Sequence, residues 1–293
     1  MRLTEFIFLL LAVAIVYISA LSRTMIPEYL DVQKIELTHT EQIIGITDSL
    51  VVPVLYDTLL IDHYAPIERQ KELFVNQVLP AVLIVKYQLE KNIKRIENLI
   101  QTIEREEVPA LPELAFADSL KELFRASSYQ NLITRMKPHS NSLVLAQAVL
   151  ESGWGRSRFA AEGNNLFGVW TTRDDEFSLP SLGTRSGKQV YLKKYDTVLE
   201  SVDHYFLNIG RHNAYRNFRM KRIAGGNNYE LIAALSSYSE EGSEYLLMLR
   251  KIISWNNFEK FDNHIIHPNY IINESKLDSY MNEFGEKLNK LKN

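Results

Sequence analysis

Apolar spacing divides the chain before any chemistry is considered. Phe6 to Leu21 reads FIFLLLAVAIVYISAL, an uncharged run behind a five-residue flank. It is slightly shorter than the about 20 residues a spanning helix needs. It suits the apolar part of an export signal, with Ile18-Ser19-Ala20 as a cleavage site, or an uncleaved anchor. Either way residues 1–22 are signal peptide or membrane anchor, and the remainder is expected in the cell envelope, outside the cytoplasm. Residues 23–66 mix polar and β-branched side chains without a steady period and read as a connector or small subregion. From Ile67 the period turns helical: Leu73, Phe74, Val78, Val82, Leu89, Ile93, Ile96 and Ile100 recur mostly at three- and four-residue steps. Pro80 is expected to kink or divide this segment. Lys91, Lys94, Arg95 and Glu97 form its solvated face. A break at 108–112 precedes short helices over 119–125 and 129–135, so residues 67–137 read as a helical extension.

Patterning is densest over residues 138–262. One helix is expected from Asn141 to Gly153, then a loop to Gly168. Ser178, Pro180, Ser181, Gly183 and Gly187 punctuate β-capable runs such as Gln189-Val190-Tyr191-Leu192 and predict a projecting hairpin. Thr197-Val198-Leu199-Glu200 is a capping box opening a helix to about Ile209. Further helices fit 214–222, 229–238 and 243–255, and the tail, 263–293, has weak helical character. These elements make an α+β, mostly helical chain.

The segment Ser142 to Gly155, SLVLAQAVLESGWG, carries the chemistry. On a helix Glu151 lies in line with Val144, Gln147 and Ala148, near the apolar stripe. It feels the negative end of the helix dipole, and Trp154 follows within one turn. Both conditions disfavour a carboxylate anion, and a carboxyl kept protonated near neutral pH is what a glycosidase uses to protonate a leaving oxygen. The pattern equally allows a surface Glu at a helix end with Trp154 as a core plug.

LVLAQAVLESGWGRSRFAAEGNNLFGVW resembles the glucosaminidase family of peptidoglycan hydrolases, glycoside hydrolase family seventy-three, and within it the Bax-type proteins. The resemblance rests on Ala146-Gln147-Ala148, Glu151-Ser152-Gly153-Trp154-Gly155, Asn165-Leu166-Phe167-Gly168, and Leu235 to Ser239 leading to Tyr245. It covers residues 138 to 256, and the helical segment 74–99 is similar to the Bax-type upstream region. The resemblance implies a lysozyme-like fold: a helical lobe, a small β-lobe and a glycan groove, with residues 138–262 as catalytic domain. It implies Glu151 as general acid of an endo-β-N-acetylglucosaminidase, and peptidoglycan glycan strands as partner. Flagellar-rod relatives supply a second carboxylate from the β-lobe. Here that region holds Asp174, Asp175 and Glu176 at shorter spacing, and Glu176 ranks first as nearest the hairpin. A solvated turn is the other reading of these acids. The resemblance further suggests an active-site tyrosine, Tyr245 before Tyr238, which helix packing would also explain. Trp154, Asn165, Phe167 and Trp170 are candidates for shaping the groove, although Phe167 also suits a core and Asn165 a turn. A lytic transglycosylase on the same fold and a non-catalytic wall-binding protein are the alternatives.

Composition narrows the rest. A formal net charge of −3 argues against nucleic-acid binding. The absence of cysteine excludes disulfides, thiol nucleophiles and Cys-held metals. The histidines show no metal-ligand spacing, with His264 and His267 as an isolated pair. Gly225-Gly226 lacks the Lys and Ser/Thr of a phosphate loop. No cofactor or metal is expected. A membrane enters only through the N-terminal segment, and oligomeric state is not encoded in any recognisable motif.

Overall fold

The computed structural model describes residues 30–172, 174–185, 188–235 and 242–272. The expected signal or anchor at 1–22, most of the tail and Tyr238 lie outside the described residues. No helix among the described residues is long and apolar enough to cross a membrane.

The N-terminal part supplies three short strands, β1 (Gln33–Ile35), β2 (Leu50–Val51) and β3 (Val54–Tyr56), with β1 and β3 paired in parallel. The helix α1 (Ile67–Glu104) follows, 38 residues long. Every residue from Leu73 to Val85 on α1 is buried. A helix apolar all round must be covered on all sides, and this requirement organises the molecule. Pro80 sits inside α1 without dividing it. Packing on every side of that stretch outweighs the one hydrogen bond that proline removes.

Residues 30–61 are therefore no connector. Leu37, Val51, Val54, Tyr56, Leu59 and Ile61 belong to one hydrophobic core with α1 and the segment beyond it. Two buried amides clip them down. Gln77 of α1 accepts from Leu60 N at 2.8 Å and donates to Leu60 O at 2.9 Å. Asn164 accepts from Leu59 N and donates to Asp57 O and Tyr195 O. Residues 67–137 share the same core, so boundaries at 66 and 137 fall inside one packed body.

Beyond α1 come α2 (Leu111–Leu123), α3 (Tyr129–Met136), α4 (Asn141–Ser152) and α5 (Arg158–Gly163). The small sheet follows: β4 (Trp170–Thr171), β5 (Ser178–Arg185) and β6 (Lys188–Lys193), antiparallel in the order β4-β6-β5. The helical side resumes with α6 (Val198–Arg211), α7 (Arg216–Ile223), α8 (Asn228–Ala233) and α9 (Ser243–Trp255). Thr197 caps α6 by accepting from Glu200 N. Arginines close other helix ends: Arg135 donates to Gly210 O and Arg211 O, and Arg222 to Thr134 O and Arg135 O. Cations beside terminal carbonyls satisfy acceptors that the helix leaves open. Strand β7 (Ile265–Ile266) pairs in parallel with β2, and Leu30 bridges Ile271, so the two ends of the described chain are stitched together. The result is a mostly helical body with a small β-lobe between α5 and α6.

Candidate active site

Helix α4 is buried from Asn141 to Val149, and Glu151 emerges half-buried in its last turn. The loop that follows is anchored by Ser152, whose hydroxyl donates to Ala148 O at 2.5 Å and accepts from Gly155 N at 2.9 Å. Gly153, Trp154 and Gly155 all have positive φ. Gly155 permits the closest approach: a Cβ there would lie 2.4 Å from Leu59. The Glu-Ser-Gly-Trp-Gly turn thus ends the helix sharply and presses it onto the N-terminal segment, leaving Glu151 at the surface of a rigid element.

The Glu151 carboxylate has specific neighbours. The Tyr245 hydroxyl, from α9, lies within reach of its charge. Tyr245 is buried, and burial together with the charge of Glu151 pushes its phenol well above the ordinary tyrosine range. It therefore stays protonated and available as a donor. Tyr215 is raised by burial and then by the same carboxylate, which places Glu151 within its electrostatic reach. Gly168, at φ 61°, faces the carboxylate from the third side, where a Cβ would stand 3.7 Å from Glu151 Oε2. A side chain at 168 would fill that space.

The other sequence-nominated residues separate into two groups. Asn165 is 1% exposed, and its amide donates to Val169 O and Lys193 O while its oxygen accepts from Val169 N. It builds the loop that carries Gly168 and has no face for a sugar. Phe167 is 5% exposed and stacked on Tyr205 with centroids 4.3 Å apart, so it is core. Of the two readings open for each, these contacts fit the turn for Asn165 and the core for Phe167. Trp154 lies edge-on between Phe74 and Phe258 with its centroid 5.6 and 5.8 Å from theirs, the core-plug arrangement, with one part exposed. Trp170, on β4, is exposed, as is Phe177 on the same lobe.

On the β-lobe, Asp174, Asp175 and Glu176 are all exposed. Asp174 accepts from the Tyr191 hydroxyl, and Asp175 accepts from Phe177 N within its own turn. Glu176 has no hydrogen-bond partner among the described residues. Sequence reading missed Tyr215 and Gly168 as neighbours of Glu151. The first gives no signal in the chain, being 64 positions away. The second was visible only as the last letter of the Asn-Leu-Phe-Gly block. A cavity of about 470 Å³ lies elsewhere, at the opposite end of α4, lined by Lys86, His139, Arg222 and Asn228 among others. It does not contain Glu151.

A half-buried carboxyl at a helix end beside a buried phenol is a group suited to general acid–base chemistry. Residues 126–258 match the Glucosaminidase family, described as mannosyl-glycoprotein endo-beta-N-acetylglucosaminidase. Protein bax of Escherichia coli (strain K12) is 31% identical over 127 residues, 41% of this chain and 44% of that protein. Exo-glucosaminidase LytG of Bacillus subtilis (strain 168) is 31% identical over 132 residues, 41% of this chain and 45% of that protein. The chain thus matches less than half the length of these curated relatives. Among solved structures, the catalytic domain of the autolysin Auto from Listeria monocytogenes aligns with 20% identity and a TM-score of 0.36, over 56% of this chain and 97% of that one. A C-terminally truncated glycoside hydrolase domain from Salmonella typhimurium FlgJ aligns with 20% identity and a TM-score of 0.32, over 47% and 97%.

Proposed function

We propose that this protein is a peptidoglycan hydrolase, an endo-β-N-acetylglucosaminidase that cleaves glycan strands between N-acetylglucosamine and N-acetylmuramic acid. Glu151 protonates the glycosidic oxygen, positive charge develops on the departing sugar ring, and water completes the cleavage. The observation that carries this reading is the position of Glu151, half-buried at the end of a buried helix beside the buried Tyr245 phenol and the open space at Gly168. Glycine at 168 keeps the space before the Glu151 Oε2 open for a leaving oxygen. Glu176 is the best second carboxylate. Its two neighbours are committed to bonds within the β-lobe, whereas it is free among the described residues to act on water or on the sugar. No metal or cofactor enters this scheme. An envelope location accords with the uncharged run from Phe6 to Leu21.

The test is mass spectrometry of digested sacculi. Reducing N-acetylglucosamine ends are expected. Anhydro-muramic ends would convert the assignment to a lytic transglycosylase, and absence of any cleavage would leave a wall-binding protein. Release of large fragments from long strands supports endo action, whereas stepwise release from one end would put the enzyme with relatives of the exo type.

A further inference from the structure

A file of buried polar groups runs inward from Glu151. Gln147, one turn earlier on α4, is wholly buried. Its Nε2 lies 3.0 Å from the Tyr245 hydroxyl and its Oε1 lies 2.6 Å from the Tyr205 hydroxyl. The Tyr205 hydroxyl in turn lies 2.8 Å from His139 Nε2. Taken one at a time, these bonds run equally well in either direction. A phenol both donates and accepts, an amide turned over exchanges its roles, and an imidazole carries its proton on either nitrogen.

The inner end decides. His139 Nδ1 is buried and meets no hydrogen-bond partner among the described residues. An orphaned acceptor is tolerated more readily in an interior than an orphaned N–H, so the imidazole proton belongs on Nε2. From there the choices are forced. Nε2–H donates to Tyr205, the Tyr205 proton goes to Gln147 Oε1, and the amide nitrogen faces Tyr245. Tyr245 accepts that N–H, and its own single proton is left for Glu151.

We propose that Gln147, Tyr205 and His139 are positioning residues that hold the Tyr245 hydroxyl as a one-way donor to Glu151, so that the reacting proton is carried on one defined carboxyl oxygen. This rests on the reading of Glu151 as proton donor. Burial, reinforced by the charges of Arg222 and Lys86, keeps His139 neutral well below the ordinary histidine range, so the file holds its direction at neutral pH.

Two measurements test it. Long-range ¹⁵N–¹H correlation spectra, with His139 assigned by its loss in His139→Gln, are expected to show a neutral Nε2–H tautomer from about pH 6 to pH 8. An Nδ1–H tautomer or an imidazolium overturns the proposal, whatever the protein's activity. In turnover assays Tyr205→Phe and His139→Phe are expected to lower kcat by about 10- to 100-fold with KM unchanged. His139→Gln, which keeps an N–H donor near the Nε2 position, restores most of it. Equal losses in the two His139 variants, or a change confined to KM, overturns the proposal too. Absence of glycan cleavage by the unmodified protein would defeat the hydrolase reading while the tautomer result still stands.

Discussion

The two sides of the candidate site are built in opposite ways. On the helical side, Glu151 ends a buried helix and is gripped from behind by Tyr245, itself held by Gln147. On the β-lobe, Asp174, Asp175 and Glu176 occupy an exposed turn whose bonds are local, such as Asp175 N to Ser178 Oγ at 3.2 Å. The interior specifies the position of the first carboxyl. The β-lobe presents acids in water, where position is set by short-range turn geometry. A proton donor needs a preorganised environment, whereas a group that acts on water tolerates an exposed one.

Substitutions can break that contrast. The largest effect is expected for Glu151→Gln, which should lower turnover about a thousandfold. Glycan binding, measured by sacculus co-sedimentation, should persist, and a variant retaining most activity would falsify the proton-donor role. Glu176→Gln should reduce turnover about 100-fold with no shift in thermal unfolding; unchanged activity would remove Glu176 from the chemistry. Tyr245→Phe should show both kinds of effect. Turnover should fall about 10- to 100-fold, and urea unfolding should show a loss of about 1–3 kcal/mol, because the Gln147 N–H is left unpaired in the core.

The inner end of the helical side gives a pH signature. His139 is held neutral in the fold, so the unfolded chain binds more protons than the folded one near and below the ordinary histidine pKa of about 6.5. Stability is therefore full above about pH 6.5 and declines as pH falls toward the depressed folded value, by up to about 1.4 kcal/mol per unit. Urea unfolding at a series of pH values should show this component in the unmodified protein and lack it in His139→Gln. Equal slopes would show that His139 is not buried neutral. The smallest effects belong to the exposed turn: Asp174→Asn and Asp175→Asn should each change stability by less than about 0.5 kcal/mol and leave turnover within a few-fold. A loss comparable to that of Glu176→Gln would move the second carboxylate to one of them.

Much of the architecture was legible along the chain. The helix ending at Gly153, the hairpin at β5 and β6, the Thr197 cap and α9 all follow from local period and turn chemistry, which operate within a few residues. The failures share a cause. Residues 23–66 read as a connector or small subregion because their apolar positions lack a period; within them, 30–61 are irregular because they cover α1 through loops and amide clips rather than through a repeating face. Pro80 looked like a break because proline opposes a helix locally, whereas here tertiary packing surrounds it. Asn165 and Phe167 looked like groove residues because a motif reports that a position matters without reporting which way its side chain turns.

By itself, the order of residues determined a mostly helical chain, the resemblance of residues 138–256 to the glucosaminidases and the carboxyl at the helix end, because these depend on local spacing and motif. Only the tertiary structure decided what that carboxyl touches. Tyr245, Tyr205 and His139 stand 94, 54 and 12 positions from Glu151, and a hydrogen-bonded file depends on side-chain direction across packed helices, which no local pattern encodes. The same packing withdrew Asn165 and Phe167 from the groove and left Glu176 in water, because burial is a property of the assembled core and not of a position in the chain.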